Sequence, residues 1–156
     1  MPARKLKDFL DRQNVRYITI FHSPAYTAQA IAHIAHISGR ELAKSVMLKA
    51  DGELVMAVLP ATHKVNLDIF RDSIGARSIE LASERDFLDA FPGCELGAMP
   101  PFGNLWDIPV YVAERLTEDE TIAFNAGSHT ELIQMDYSDY ERLVRPRIVQ
   151  LTHALV

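Results

Sequence analysis

The chain has 156 residues and a net charge of −5, with 48% hydrophobic and 24% charged residues. These values fit one globular domain with a sizeable core. They argue against broad, non-specific nucleic-acid or DNA binding, which needs a basic face. No apolar run approaches the roughly 20 residues of a membrane span. Residues 1–11 carry charge throughout with no apolar signal core. Cys94 is the single cysteine, so no internal disulfide is possible and a cytoplasmic location is expected.

The first predicted element is an amphipathic helix over 3–13, with Leu6, Phe9 and Leu10 on one face. Arg16–Phe21 is rich in β-branched and aromatic residues and reads as a strand. His22-Ser23-Pro24 ends it. Thr27 is the expected cap of a second helix over 28–37, striped by Ile31, Ile34 and Ala35 and stopped at Ser38-Gly39. Two apolar runs, 42–50 and 53–59, flank Asp51-Gly52 and predict a β-hairpin with a type I′ turn.

Asn66 is the expected cap of a helix ending at Gly75, and a strand over 77–81 follows. Ser83-Glu84-Arg85-Asp86 resembles a capping box opening a helix to about Ala90, ended by Pro92-Gly93. Strands are expected at 108–113, 121–125 and 130–135, the last two joined by Ala126-Gly127-Ser128-His129. A second box, Ser138-Asp139-Tyr140-Glu141, predicts a last helix to about Val144, ended by Pro146. The order gives a single α+β domain over residues 1–156.

Between these elements lies Gly97-Ala98-Met99-Pro100-Pro101-Phe102-Gly103, a Gly-x-x-x-Pro-x-Gly loop with an extra proline. Its glycines allow backbone angles closed to other residues, and its prolines fix φ and remove N–H groups. The segment is either a stiff connector or a loop whose remaining amides point at a ligand. Rigid amide donors suit a reaction that develops negative charge on a carbonyl oxygen.

Lys44 stands where a strongly apolar strand begins. A lysine there either snorkels to solvent or points into a cavity where an anion meets it. Lys49, beside the turn, is expected in solvent. Asp107 and Glu114 are likewise expected as solvated charges. His33 and His36 share a predicted helix face, but His22, His63, His129 and His153 are scattered. There is no His-Glu-x-x-His and no Cys-His cluster, so neither a metal nor a cofactor is expected. Cys94 lacks a basic neighbour in sequence. No nucleophile elbow or phosphate-binding loop of the Walker type occurs.

The lysine at a hairpin's start, the glycine–proline loop, the strand–Gly-Ser-His–strand unit and the short last helix fall into one order. That order resembles the YbaK/ProRS-associated family of aminoacyl-tRNA deacylases, from about Tyr17 to Leu143. The family occurs free-standing and as an insertion in bacterial prolyl-tRNA synthetases. The resemblance implies a curved, mixed, mostly antiparallel sheet flanked by helices, with a pocket for the aminoacyl 3′ end of tRNA. It implies hydrolysis of a mischarged aminoacyl-tRNA: tRNA-Pro, or a related tRNA, carrying Ala, Cys, Ser or Thr. An aminoacyl-tRNA synthetase is an implied partner. A non-catalytic module that grips the tRNA end or a synthetase is the alternative within the same fold.

By the same resemblance, Lys44 matches the family's functional lysine, which holds the phosphate or sugar of the terminal adenosine. Ser45 matches a position often held by threonine. Gly97, Ala98, Pro101 and Gly103 belong to the motif whose amides bind the substrate carbonyl. No side-chain nucleophile is implied; the terminal ribose hydroxyl helps activate water. Gly127, Ser128 and His129 fall in a substrate-side segment that varies among members. Phe21, His22, Ile31 and Met47 are positional candidates for selecting the amino acid. Ala98 departs from a common second glycine, and Pro100 adds a second proline.

Overall fold

A computed structural model describes residues 2–23, 41–87, 89, 91, 94 and 97–152. The expected second helix, with Thr27, Ile31, His33 and His36, lies outside the described residues, as do Pro92, Gly93 and His153.

Helix α1, Pro2–Arg12, buries Leu6 and Leu10 completely, on the face its spacing predicts. Strand β1, Tyr17–Phe21, follows. Strands β2, Ala43–Ala50, and β3, Glu53–Pro60, form the expected hairpin. Asp51 and Gly52 have φ of 50° and 86°, the two positive values that a type I′ turn needs. The Asp51 carboxylate also accepts the amides of Arg77 and Ser78 at 2.9 Å, which ties the turn to the approach of strand β4, Ile79–Leu81.

Helix α2, Leu67–Ile74, starts where expected: the Asn66 side chain accepts from the Ile69 amide at 3.0 Å, and Gly75 closes it at φ 69°. In front of helix α3, Glu84–Phe87, Asp86 accepts from both the amide and the hydroxyl of Ser83, the reciprocal arm of the capping box. Strands β5 (Val110–Ala113), β6 (Thr121–Asn125) and β7 (Glu131–Asp136) take the three further expected places.

Three features differ from expectation. Helix α4 runs Tyr137–Val144 with Asp136 at its cap position, so Ser138 lies inside the first turn and makes no cap there. Strand β7 leads straight into the helix, and Tyr137 and Tyr140 go into the core, so the burial of two aromatic rings fixes the start. The second feature is strand β8, Arg147–Val149, which lies beyond the expected end at Pro146. Its three residues pair in parallel with β5, a partner that local pattern does not reveal. The third is a pair of 3-10 helices, Gly103–Trp106 and Glu114–Glu118.

The strands form a three-stranded sheet, β1-β7-β6, and a five-stranded sheet, β4-β2-β3-β5-β8. Pairing is antiparallel except at β3–β5 and β5–β8. A parallel bridge, Leu42 to Ala123, joins β6 to the entrance of β2. The α+β, mixed and mostly antiparallel arrangement is the expected one. One core lies between the sheets, with Leu10, Met56, Phe102, Phe124 and Tyr140. A second covers the other face of the larger sheet, with Leu48, Leu59 and Phe70. The side-chain alternation of a strand produces both.

Candidate active site

The glycine–proline loop is anchored by its second half. Phe102 is fully buried, with its ring 5.2 Å from Tyr140, 5.5 Å from Phe124 and 6.2 Å from Phe9. The Tyr140 hydroxyl donates to the Pro101 carbonyl at 2.7 Å, in a fully buried bond. Burial pushes the Tyr140 phenol well above its ordinary range, so it stays a donor. Gly103 has a packing reason of its own. A Cβ there would stand 2.7 Å from the Ile108 carbonyl oxygen and 2.9 Å from a Val110 methyl.

The first half of the loop is arranged differently. Gly97 is exposed, with φ 80°, a left-handed value that disfavours any side chain. Among the described residues, no backbone carbonyl accepts from the amides of Gly97, Ala98 or Met99. A Cβ on Gly97 would lie 3.8 Å from the His129 imidazole carbon Cε1. The loop therefore meets the turn between β6 and β7, some thirty residues later in the chain. That turn contains Gly127, at φ 107°, and Ser128, whose hydroxyl lies 3.2 Å from that of Thr130.

His22 joins the same corner. Its amide donates to the Thr130 carbonyl at 2.9 Å. Its Nδ1 lies 2.8 Å from the Ser23 carbonyl, and a carbonyl only accepts, so Nδ1 carries the proton. Gly97, His22, Ser128 and His129 thus gather at one end of the smaller sheet.

Lys44 is the second residue of β2, in the larger sheet. The Leu42–Ala123 bridge sets the start of β2 alongside the second half of β6. Alternation sends Ser45 and Met47 to the core between the sheets and Lys44 to the opposite face. The Ser45 hydroxyl is buried, with no hydrogen-bond partner among the described residues. Lys44 is half-buried and pairs with no described carboxylate. Burial, and next the charge of Lys64, lower its pKa below the ordinary lysine value.

Residues 22–143 match the family model of the aminoacyl-tRNA editing domain. The chain belongs to this family. The multifunctional Ser/Thr-tRNA deacylase ProXp-y of Escherichia coli K12 is 26% identical over 151 residues, spanning 94% of this chain and 90% of its own. The proline–tRNA ligase of Leuconostoc citreum is 28% identical over 94% of this chain, which corresponds to only 25% of the ligase. Among solved structures, a candidate trans-editing enzyme for prolyl tRNA synthetase superposes with a TM-score of 0.81, covering 98% of each chain at 16% identity. That likeness supports the fold, and the expected family is borne out.

The other residues singled out in the sequence occupy varied places in this editing domain. Phe21 is 72% exposed at the end of β1, with the Lys7 ammonium 5.7 Å from its ring. Ile31 lies outside the described residues. Met47 and Ala98 are buried in the core. Lys49, expected in solvent, is partly covered and pairs with Asp86 at 3.3 Å. Asp107 and Glu114 are exposed, as expected. Burial raises the Cys94 thiol to about 11, which keeps it protonated and unreactive. Among the described residues, no three His, Cys, Asp or Glu side chains converge on a metal position, and no helix is long and apolar enough to cross a membrane.

Sequence reasoning missed Tyr140 as the loop's anchor. Its only sequence signal is its place among the apolar residues of the last helix, and that signal does not name Pro101. Tyr140→Phe would leave the Pro101 carbonyl buried and unpaired, which costs roughly 1–3 kcal/mol. A lowered melting temperature is expected, together with a loss of deacylation in the protein that remains folded. Thermal melting beside single-turnover kinetics checks both.

Proposed function

We propose that this chain, over residues 1–156, is one editing domain that acts in trans. It hydrolyses the ester of a mischarged tRNA carrying a small amino acid such as Ala, Cys, Ser or Thr. The observation that carries the site assignment is the loop itself. Its anchored half holds Phe102 and Pro101, and its other half presents Gly97, Ala98 and Met99 amides without described carbonyl partners.

An aminoacyl ester is already activated, so position and charge stabilisation suffice. Water adds to the carbonyl carbon, and the carbonyl oxygen becomes an oxyanion held by the loop amides. The intermediate collapses with release of the ribose oxygen, which takes a proton. The products are a free amino acid and an uncharged tRNA. The neighbouring ribose hydroxyl orients the water, so no side-chain nucleophile is required. Cys94, held as a thiol, fits that scheme.

Lys44 holds the phosphate or sugar of the terminal adenosine, where an anion offsets both causes of its lowered pKa. His129 forms the wall beside Gly97, and His22 and Ser128 border the same corner. A small pocket rejects a larger, correct amino acid by size but separates near-isosteres weakly. The substrate partner is the aminoacyl-tRNA 3′ end, in the cytoplasm, with a synthetase as a further partner.

The test is to incubate the protein with a panel of mischarged tRNAs and follow ester loss. Hydrolysis of one small-amino-acid ester, with the cognate ester spared, is the expected result. Binding to the tRNA end without ester loss would replace the enzyme with a non-catalytic module.

A further inference from the structure

Asn125 is the last residue of β6. Its backbone is held by β7, opposite Leu132, and the next amide, that of Ala126, donates to the Glu131 carbonyl at 3.1 Å. The side chain is less well served. Its amide oxygen Oδ1 is buried, and no donor among the described residues reaches it. Folded proteins keep few buried acceptors unpaired, because each has given up its water.

The place of Asn125 gives that oxygen a use. Along the chain it directly precedes Ala126-Gly127-Ser128-His129, the turn that meets Gly97. Across the seam between the sheets it is level with Lys44. The parallel bridge joins Leu42 to Ala123, and the Ala123 amide donates to the Glu41 carbonyl at 3.0 Å. Both segments run the same way from this bridge, so Lys44 and Asn125 are each the second residue beyond it. Contact continues past the bridge, since Cα atoms of β2 lie within 8 Å of Cα atoms of β6. Alternation gives the two side chains one facing: Ala43, Ile122 and Phe124 enter the core between the sheets, so Lys44 and Asn125 both turn away from it. Lys44 does not donate to Oδ1, and the acceptor stays open.

In the proposed function, Lys44 takes the phosphate or sugar of the terminal adenosine and the loop amides take the ester carbonyl. What lies between a nucleotide's phosphate and an ester on its ribose is the ribose itself. Its free donor there is the hydroxyl beside the ester. We infer that Asn125 is a substrate-binding residue whose Oδ1 accepts a hydrogen bond from that ribose hydroxyl. With its proton turned to Asn125, the hydroxyl oxygen presents its lone pairs to the attacking water, which donates to it. The inference rests on the editing reading and adds to it the group that sets the hydroxyl's direction.

Binding of two stable probes tests it. Each is an RNA hairpin whose terminal adenosine carries the amino acid through a 3′-amide, which does not hydrolyse; one keeps the 2′-hydroxyl and the other has hydrogen there. Both are made with alanine and with serine. The parent should bind the hydroxyl probe about twofold to tenfold more tightly, the worth of one neutral hydrogen bond. Asn125→Ala should lose this preference and bind the hydrogen probe as the parent does. Asn125→Asp keeps an acceptor and should keep the preference. On mischarged tRNA, Asn125→Ala should lose at least the same factor in single-turnover rate.

A structural role would weaken both probes alike, and that result would overturn the inference. So would a parent that deacylates tRNA yet shows no preference between the probes, or an Asn125→Ala protein that keeps the parent's preference. A parent that deacylates no tRNA in the panel would overturn the functional reading instead.

Discussion

Gly97→Val is expected to slow deacylation about a hundredfold or more in kcat, the scale of losing one oxyanion donor, in a protein that remains folded. Gly97 has φ 80°. A side chain in a left-handed conformation costs roughly 1–2 kcal/mol, and a β-branched one more. A valine therefore drives the backbone toward negative φ, and the peptide that carries the Ala98 amide turns with it. The first Cβ atom has space, since its nearest neighbour would be His129 Cε1 at 3.8 Å. The γ-methyls then crowd the corner proposed for the ester.

The rest of the fold does not depend on this residue. Gly97 is exposed, while the loop's anchor is Phe102 with the Tyr140–Pro101 bond. The loss should therefore appear in kcat more than in KM, as befits an interaction made in the transition state. Circular dichroism and single-turnover hydrolysis measure the two sides. A folded variant with the parental rate would remove the loop from the mechanism.

Lys44→Ala is expected to lower kcat/KM about tenfold to a hundredfold, since a hydrogen bond to a charged group is worth roughly 1.5–3 kcal/mol. A misplaced ester adds to that loss. Stability should barely fall, because no described acid is left without a partner. The sign of the pH effect follows from the lowered pKa. The folded protein disfavours the charged lysine, so this penalty is full at neutral pH and fades as pH rises through the lowered pKa. A bound phosphate reverses the preference, and the contact is lost when Lys44 gives up its proton.

The parent's kcat/KM should therefore decline on the alkaline side, below the ordinary lysine value of 10.5. Lys44→Arg keeps its charge throughout that range, so the decline should disappear. Its planar, longer head should still leave activity below the parent's. A folded Lys44→Ala protein with near-parental kcat/KM would exclude Lys44 from substrate binding.

The sequence by itself determined the elements whose causes are local. The apolar stripe at Leu6 and Leu10, the positive-φ pair Asp51-Gly52, the Asn66 cap with Gly75, and the Ser83–Asp86 box all act within a few residues. It also marked Lys44 and the Gly97–Gly103 loop as unusual, because a lysine at an apolar strand and paired glycines and prolines conflict with ordinary element chemistry.

Tertiary structure alone decided what those residues meet. It set Gly97 against His129, hung Pro101 from Tyr140 and gave β5 a parallel partner in β8. It moved the cap position of α4 from Ser138 to Asp136, with Tyr137 and Tyr140 buried in the core. Caps and turns are short-range hydrogen bonds and backbone angles, written in neighbouring residues. The proposed site, drawn from β2, two loops and the end of β6, depends on how two sheets pack, and that packing is a property of the whole chain.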